Sequence, residues 1–130
     1  MNRKTRWLAG VYLLILCVIV FLADQKRFQF LFKFIRETPY ADKVGHFFLM
    51  GGFSFILNMA MNCATMKVWR FRLLKGSLIV ALIVTLEEFS QLFIRYRTFD
   101  LIDLTCDYLG IFLFARLALY LTNRRLAHSK

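Results

Sequence analysis

Four apolar runs divide the chain, at about 7–23, 44–62, 76–94 and 101–121, and polar positions inside them are few and regularly spaced. The first run carries no charge over 17 residues, just long enough to cross a bilayer. Its basic start (Arg3, Lys4, Arg6) resembles a signal peptide, but Phe21 stands where a cleavage site wants a small residue, so a retained helix is expected. Between the first two runs, residues 26–37 follow a different pattern. On a helix, Lys26, Gln29, Lys33, Arg36 and Glu37 fill one arc, and Phe28, Phe30, Leu31, Phe32, Phe34 and Ile35 fill the other, with Arg27 as the exception. That is the pattern of a helix lying in the membrane interface, ended by Pro39. The expected fold is an all-α integral membrane protein with one membrane domain over residues 1–130. It has four transmembrane helices and an interfacial amphipathic helix between the first and second.

The polar residues within the apolar runs are the informative ones. Glu87, Glu88, Asp100, Asp103 and Asp107 are five of the chain's eight carboxylates, and all lie between Leu86 and Gly110. A charge at membrane depth costs about 2.5–3.5 kcal/mol on insertion scales unless it faces protein, water or a partner. At 100° per residue, Asp100, Asp103 and Asp107 fall within about 60° of one helix face. Glu88, Gln91 and Arg95 repeat the same spacing on the preceding helix, and a short turn makes the two helices antiparallel neighbours. Asp42, Lys43 and His46 begin the second run on one helical face. With four spans, all of these residues and Arg97 share one half of the membrane. A polar, carboxylate-rich pocket opening to that face is therefore expected. Small residues (Gly45, Gly51, Gly52, Ser54) allow close helix approach, and Ser54, Asn58 and Asn62 repeat every four residues toward the bundle interior.

Composition agrees with lipid as the solvent: 59% of residues are hydrophobic and the mean hydropathy is +0.56. A soluble chain of 130 residues could not hide that much apolar surface. The net charge of +10 does not imply nucleic acid, because the basic residues cluster at the ends of apolar runs where membrane insertion requires them. Cys17, Cys63 and Cys106 have neither metal-type spacing nor an even number, and read as small packing residues. Ten Lys and Arg fall on the side of the two termini and the 63–75 loop, against seven on the other. This favours cytoplasmic termini in a plasma (inner) membrane and an outward-facing pocket.

The motifs Asp42-Lys43-x-x-His46-Phe47, Glu88-x-x-Gln91 and Arg97-x-x-Asp100-x-x-Asp103, followed by Asp107 and Gly110, resemble those of the VanZ-like family of small bacterial membrane proteins. The resemblance covers about residues 40–115 and departs at Asp107, where the family usually has Asn; the extra carboxylate suits cation binding, or pairing with His46 or an arginine. The family takes its name from a protein associated with resistance to the glycopeptide teicoplanin. The resemblance thus implies a cell-envelope location and a possible link to that resistance, without supplying a mechanism.

The expected function is recognition of an envelope lipid headgroup or cell-wall precursor by Asp42, Lys43, His46, Glu88, Gln91, Arg97, Asp100, Asp103 and Asp107. Arg97 and Lys43 suit phosphate, and the carboxylates and Gln91 suit sugar or amide groups. One alternative is a membrane-embedded hydrolase or transferase acting on lipid-linked substrates, using His46 as a base or a metal on His46, Glu88 and Asp103. No HExxH, GxSxG or evident nucleophile supports it, and enzyme activity is the less favoured expectation. Another is purely structural: the polar groups pair and hold the helices together, each contact worth about 0.6–2 kcal/mol. No cofactor is expected. The bilayer and the envelope ligand are the expected partners, with a homo-oligomer possible.

Overall fold

A computed structural model describes residues 3–24, 33, 37, 40–93 and 100–130, apart from the side chains of residues 20–24 and 42. The described residues are mostly helical. Helix α1 is Arg3–Asp24 and α2 is Ala41–Ala60. A hairpin of β1 (Thr65–Val68) and β2 (Phe71–Leu74) leads into α3 (Lys75–Ser90). A 3-10 turn, Gln91–Phe93, extends α3, and α4 is Leu101–His128. Two of these helical stretches, Lys75–Phe93 and Leu101–His128, are long and apolar enough to cross a membrane. At 1.5 Å per residue, their 19 and 28 residues reach about 28 and 42 Å, against a hydrocarbon core of about 30 Å.

The expected amphipathic helix at 26–37 lies outside the described residues except for Lys33 and Glu37. These two are helical and form an exposed ion pair at 3.7 Å across one turn. The link through Arg95 and Arg97 is likewise outside them.

Helices α2 and α4 run side by side in the same direction, with α3 antiparallel between their ends. His46 meets Asp107 near one end of the bundle, and Cys63 Sγ lies 3.3 Å from Thr122 Oγ1 at the other. Glycine makes the α2–α4 approach possible. A Cβ on Gly110 would collide with the carbonyl oxygen of Phe47, and one on Gly51 with the Phe114 ring. Gly45 has nothing near its missing Cβ, so it plays no part in this contact. Tyr12 of α1 stacks on Phe53 at 5.7 Å and donates its hydroxyl to the Leu49 carbonyl at 2.6 Å, fixing α1 to α2.

The 63–75 segment, expected as a basic loop, is an antiparallel hairpin. Val68 pairs with Phe71 and Met66 with Leu73 on one face, while Lys67 pairs with Arg72 on the other. One face is therefore apolar and the other basic, as alternation along a strand dictates. The two-residue connection needs a left-handed residue, here Trp69 at φ 56°. β-branched and aromatic residues favour the strands, but no Gly or Asn marks the turn.

Buried polar side chains share the interior with apolar ones, while many large apolar side chains face outward. Glu88, Asn58, Asp107 and Ser54 are among the largest fully buried side chains, whereas Leu14, Leu82, Leu86, Leu101 and Phe112 are exposed. A small apolar core of Leu16, Met50, Phe53, Val80, Val84, Leu104 and Ile111 remains between the helices.

Candidate functional site

Two buried polar clusters lie at different heights in the bundle. The first sits where α2 ends and α3 begins. Asn58 donates through Nδ2 to Ser77 Oγ at 2.7 Å and to Ser54 Oγ at 3.3 Å, and its Oδ1 accepts from the Ser77 backbone N–H at 3.2 Å. Gly76 lets α3 start directly against Asn58, because a Cβ there would strike the amide. Every polar group of this cluster has a partner, so it serves as a clasp. Ser54 and Asn58 occupy the interior as the four-residue repeat requires. Asn62 does not: it lies past the end of α2, exposed and left-handed at φ 53°. Ser77, the partner that completes the clasp, carries no periodic signal in the sequence.

The second cluster is at the opposite end, where α2 and α4 begin and α3 finishes. His46 is five residues into α2 and Asp107 six residues into α4, so both sit about 8–9 Å below the helix starts. His46 Nδ1 is 3.0 Å from Asp107 Oδ1, and Asp107 is completely buried. Glu88, 1% exposed, comes from the last turn of α3. Donor atoms of His46, Glu88 and Asp107 all lie within 4.8 Å of one another. Gln91, buried on the 3-10 turn, donates through Nε2 to Glu87 Oε1 at 2.9 Å and to Glu88 Oε1 at 3.4 Å. Two oxygens in the cluster have no hydrogen-bond partner: Glu88 Oε2 and Asp107 Oδ2. A buried polar atom left unpaired costs about 1–3 kcal/mol, and more when charged. This cluster, unlike the Asn58 clasp, is incomplete in itself.

Nearer the bundle end, Lys43 Nζ bridges Asp100 Oδ2 at 3.3 Å and Asp103 Oδ1 at 3.2 Å, joining α2 to the start of α4. Asp100 is also the N-cap of α4, accepting the Ile102 backbone N–H at 2.8 Å. That backbone donor, with the Lys43 ammonium, holds the Asp100 carboxyl below its ordinary range.

The sequence-derived site residues thus fall into two tiers. Lys43, Asp100 and Asp103 form a half-exposed outer bridge, and His46, Glu88, Gln91 and Asp107 form a buried inner cluster. Asp103, expected beside His46 and Glu88 as a metal ligand, is taken by Lys43, and Asp107 stands in its place. Glu87, one of the five clustered carboxylates but not among the expected ligand residues, joins through Gln91. The Asp42 side chain and Arg97 lie outside the described residues. Two open clefts of about 570 and 540 Å³ lie near the chain ends, lined by residues such as Trp7 and Arg125, and neither includes the inner cluster.

No protein-family model, no curated protein and no solved structure matches this chain.

Proposed function

We propose that this chain is a multi-pass protein of the bacterial plasma membrane. In this reading it spans the bilayer four times and uses the cluster built on His46, Glu88, Gln91 and Asp107 to recognise an envelope lipid headgroup or cell-wall precursor. The observation that carries the reading is the pair of unsatisfied, fully buried carboxylate oxygens, Glu88 Oε2 and Asp107 Oδ2, inside a cluster drawn from three helices. A scaffold gains most when its polar groups are all paired, as around Asn58; a cluster with open acceptors is one that a ligand completes. Four spans are supported by the outward-facing apolar side chains and by the uncharged run of α1, in addition to the two helices long and apolar enough to cross a membrane.

The hairpin suits the lipid boundary. Its exposed apolar face meets acyl chains, its basic face meets headgroups, and Trp69 at its tip carries the Arg70 guanidinium 5.1 Å from its ring centroid. With the termini and this basic hairpin in the cytoplasm, the His46 cluster lies toward the outer leaflet. Reporter fusions at Lys130 and at Tyr40 test this orientation. The former is expected to report cytoplasm and the latter the outside, and the reverse pattern would turn the site inward.

The resemblance of the motifs to those of the VanZ-like family directs the functional test toward glycopeptides. Cells making the wild-type protein are expected to change in teicoplanin susceptibility. Glu88→Gln and His46→Gln at matched membrane levels should lose most of that change, while Glu37→Gln keeps it. Folded cluster variants that shift susceptibility as much as wild type would reduce the cluster to a scaffold.

A further inference from the structure

We infer that His46, Glu88 and Asp107 form a binding site for a divalent transition-metal cation of the Zn²⁺ or Mn²⁺ class. The inference rests on reading this cluster as a binding site, and it names what the site holds first.

Three independent features point the same way. The donor set is one imidazole and two carboxylates, with donor atoms of all three groups within 4.8 Å of one another. Imidazole with carboxylate suits first-row divalent ions, whereas Mg²⁺ and Ca²⁺ prefer oxygen alone. Second, the two carboxylate oxygens without a hydrogen bond belong to two of these same residues, Glu88 at 1% and Asp107 at 0% exposure. They are open lone pairs on two of the three residues that could ligate a cation. Third, the charges close: two buried carboxylates and a neutral imidazole carry −2, which one divalent ion cancels.

The surroundings fit a ligand shell. Asp107 Oδ1 and His46 Nδ1, 3.0 Å apart, would exchange their mutual hydrogen bond for bonds to the ion, and Gln91 Nε2 donates to Glu88 Oε1 at 3.4 Å, leaving Glu88 Oε2 available. Metal–ligand bonds of about 2.0–2.2 Å place neighbouring ligands of a tetrahedral ion roughly 3.4 Å apart, so loading draws the three groups inward by about an ångström. Three protein ligands leave at least one position on the ion, where a phosphate or carboxylate oxygen of an envelope ligand can bind. This reconciles a carboxylate-rich cluster with an anionic headgroup.

The test uses the full chain in detergent micelles. Protein purified without chelator is analysed for metal. Chelator-stripped protein is then titrated with Zn²⁺, Mn²⁺ and Mg²⁺ by calorimetry, and with Co²⁺ by visible absorption. The expected result is about one ion per chain, Zn²⁺ binding at least tenfold tighter than Mg²⁺, and a ligand-field Co²⁺ spectrum. Glu88→Gln and Asp107→Asn should weaken Zn²⁺ at least a hundredfold. Gln91→Ala, which only orients Glu88, should weaken it about tenfold, in the range for outer-shell partners. Glu37→Gln should match wild type. Stripped wild-type protein that binds neither Zn²⁺ nor Mn²⁺ overturns the inference, as does binding unchanged in folded Glu88→Gln and Asp107→Asn. If a variant does not fold, the wild-type titration and the Co²⁺ spectrum decide by themselves. No metal, together with cluster variants that still lose the susceptibility change, defeats the metal and keeps the recognition reading. Metal binding without any susceptibility effect does the reverse.

Discussion

Gly110→Ala is expected to cost about 3 kcal/mol or more, the upper end for overpacking a close contact, and to yield little folded protein. The methyl would land on the carbonyl oxygen of Phe47, with the carbonyl carbon at 3.0 Å and Cα at 3.2 Å. These are backbone atoms of α2, and no side-chain rotation relieves the clash. Relief requires the two helices to separate, which would pull His46 away from Asp107 a few residues along the same contact. Gly51→Ala should cost less, about 1–2 kcal/mol, because its clash is chiefly with the Phe114 ring, which can turn. Gly45→Ala should be neutral or stabilising by up to about 1 kcal/mol, since its Cβ meets nothing and Ala is the better helix former. Thermal unfolding in detergent, followed by size-exclusion monodispersity, ranks the three. A Gly110→Ala protein as stable as Gly45→Ala would mean that α2 and α4 do not pack as described.

That ranking also shows what the sequence could and could not reveal. Gly45, Gly51 and Gly52 look equivalent as small residues in an apolar helix. Only the crossing of α2 against α4 distinguishes Gly51, buried against Phe114, from Gly45, which meets nothing. Helix positions were legible because apolar runs of span length have few alternatives, and so was the end of the bundle that carries the charge. The grouping of carboxylates was not. Asp103 and Asp107 lie on nearly the same face, and the choice between them depends on how far Lys43 reaches. Its long chain takes Asp103 at 3.2 Å and leaves the deeper Asp107 to His46, which is one turn further along α2. Helical periodicity fixes angle, not depth across an interface. The hairpin at 65–74 escaped for a local reason: four-residue strands give too short an alternation, and the turn relies on a left-handed Trp instead of glycine.

His46→Leu is expected to cost about 3–5 kcal/mol, whereas the double variant His46→Leu/Asp107→Leu should recover most of that loss. Removing His46 alone leaves Asp107 fully buried without the partner that its Oδ1 now has at 3.0 Å, while Oδ2 already has none. An uncompensated charge in that position is the costly case; replacing both members by apolar side chains is often neutral or stabilising by about 1–4 kcal/mol. The neighbourhood favours the exchange, since Leu104 and Ile111, on the same helix as Asp107, belong to the apolar core. Measured by thermal unfolding in chelator, so that no metal contributes, the double variant should fall within about 1 kcal/mol of wild type or above it. Its effect on susceptibility should nevertheless vanish, and so should Zn²⁺ retention. A double variant as unstable as His46→Leu would show that the shape of the side chains, and not their charge, holds this end of the bundle together. One that stays stable and still shifts susceptibility would make the pair a replaceable fastener. Stability kept and function lost together would mean that the inner cluster is retained for what it binds and not for the stability of the bundle.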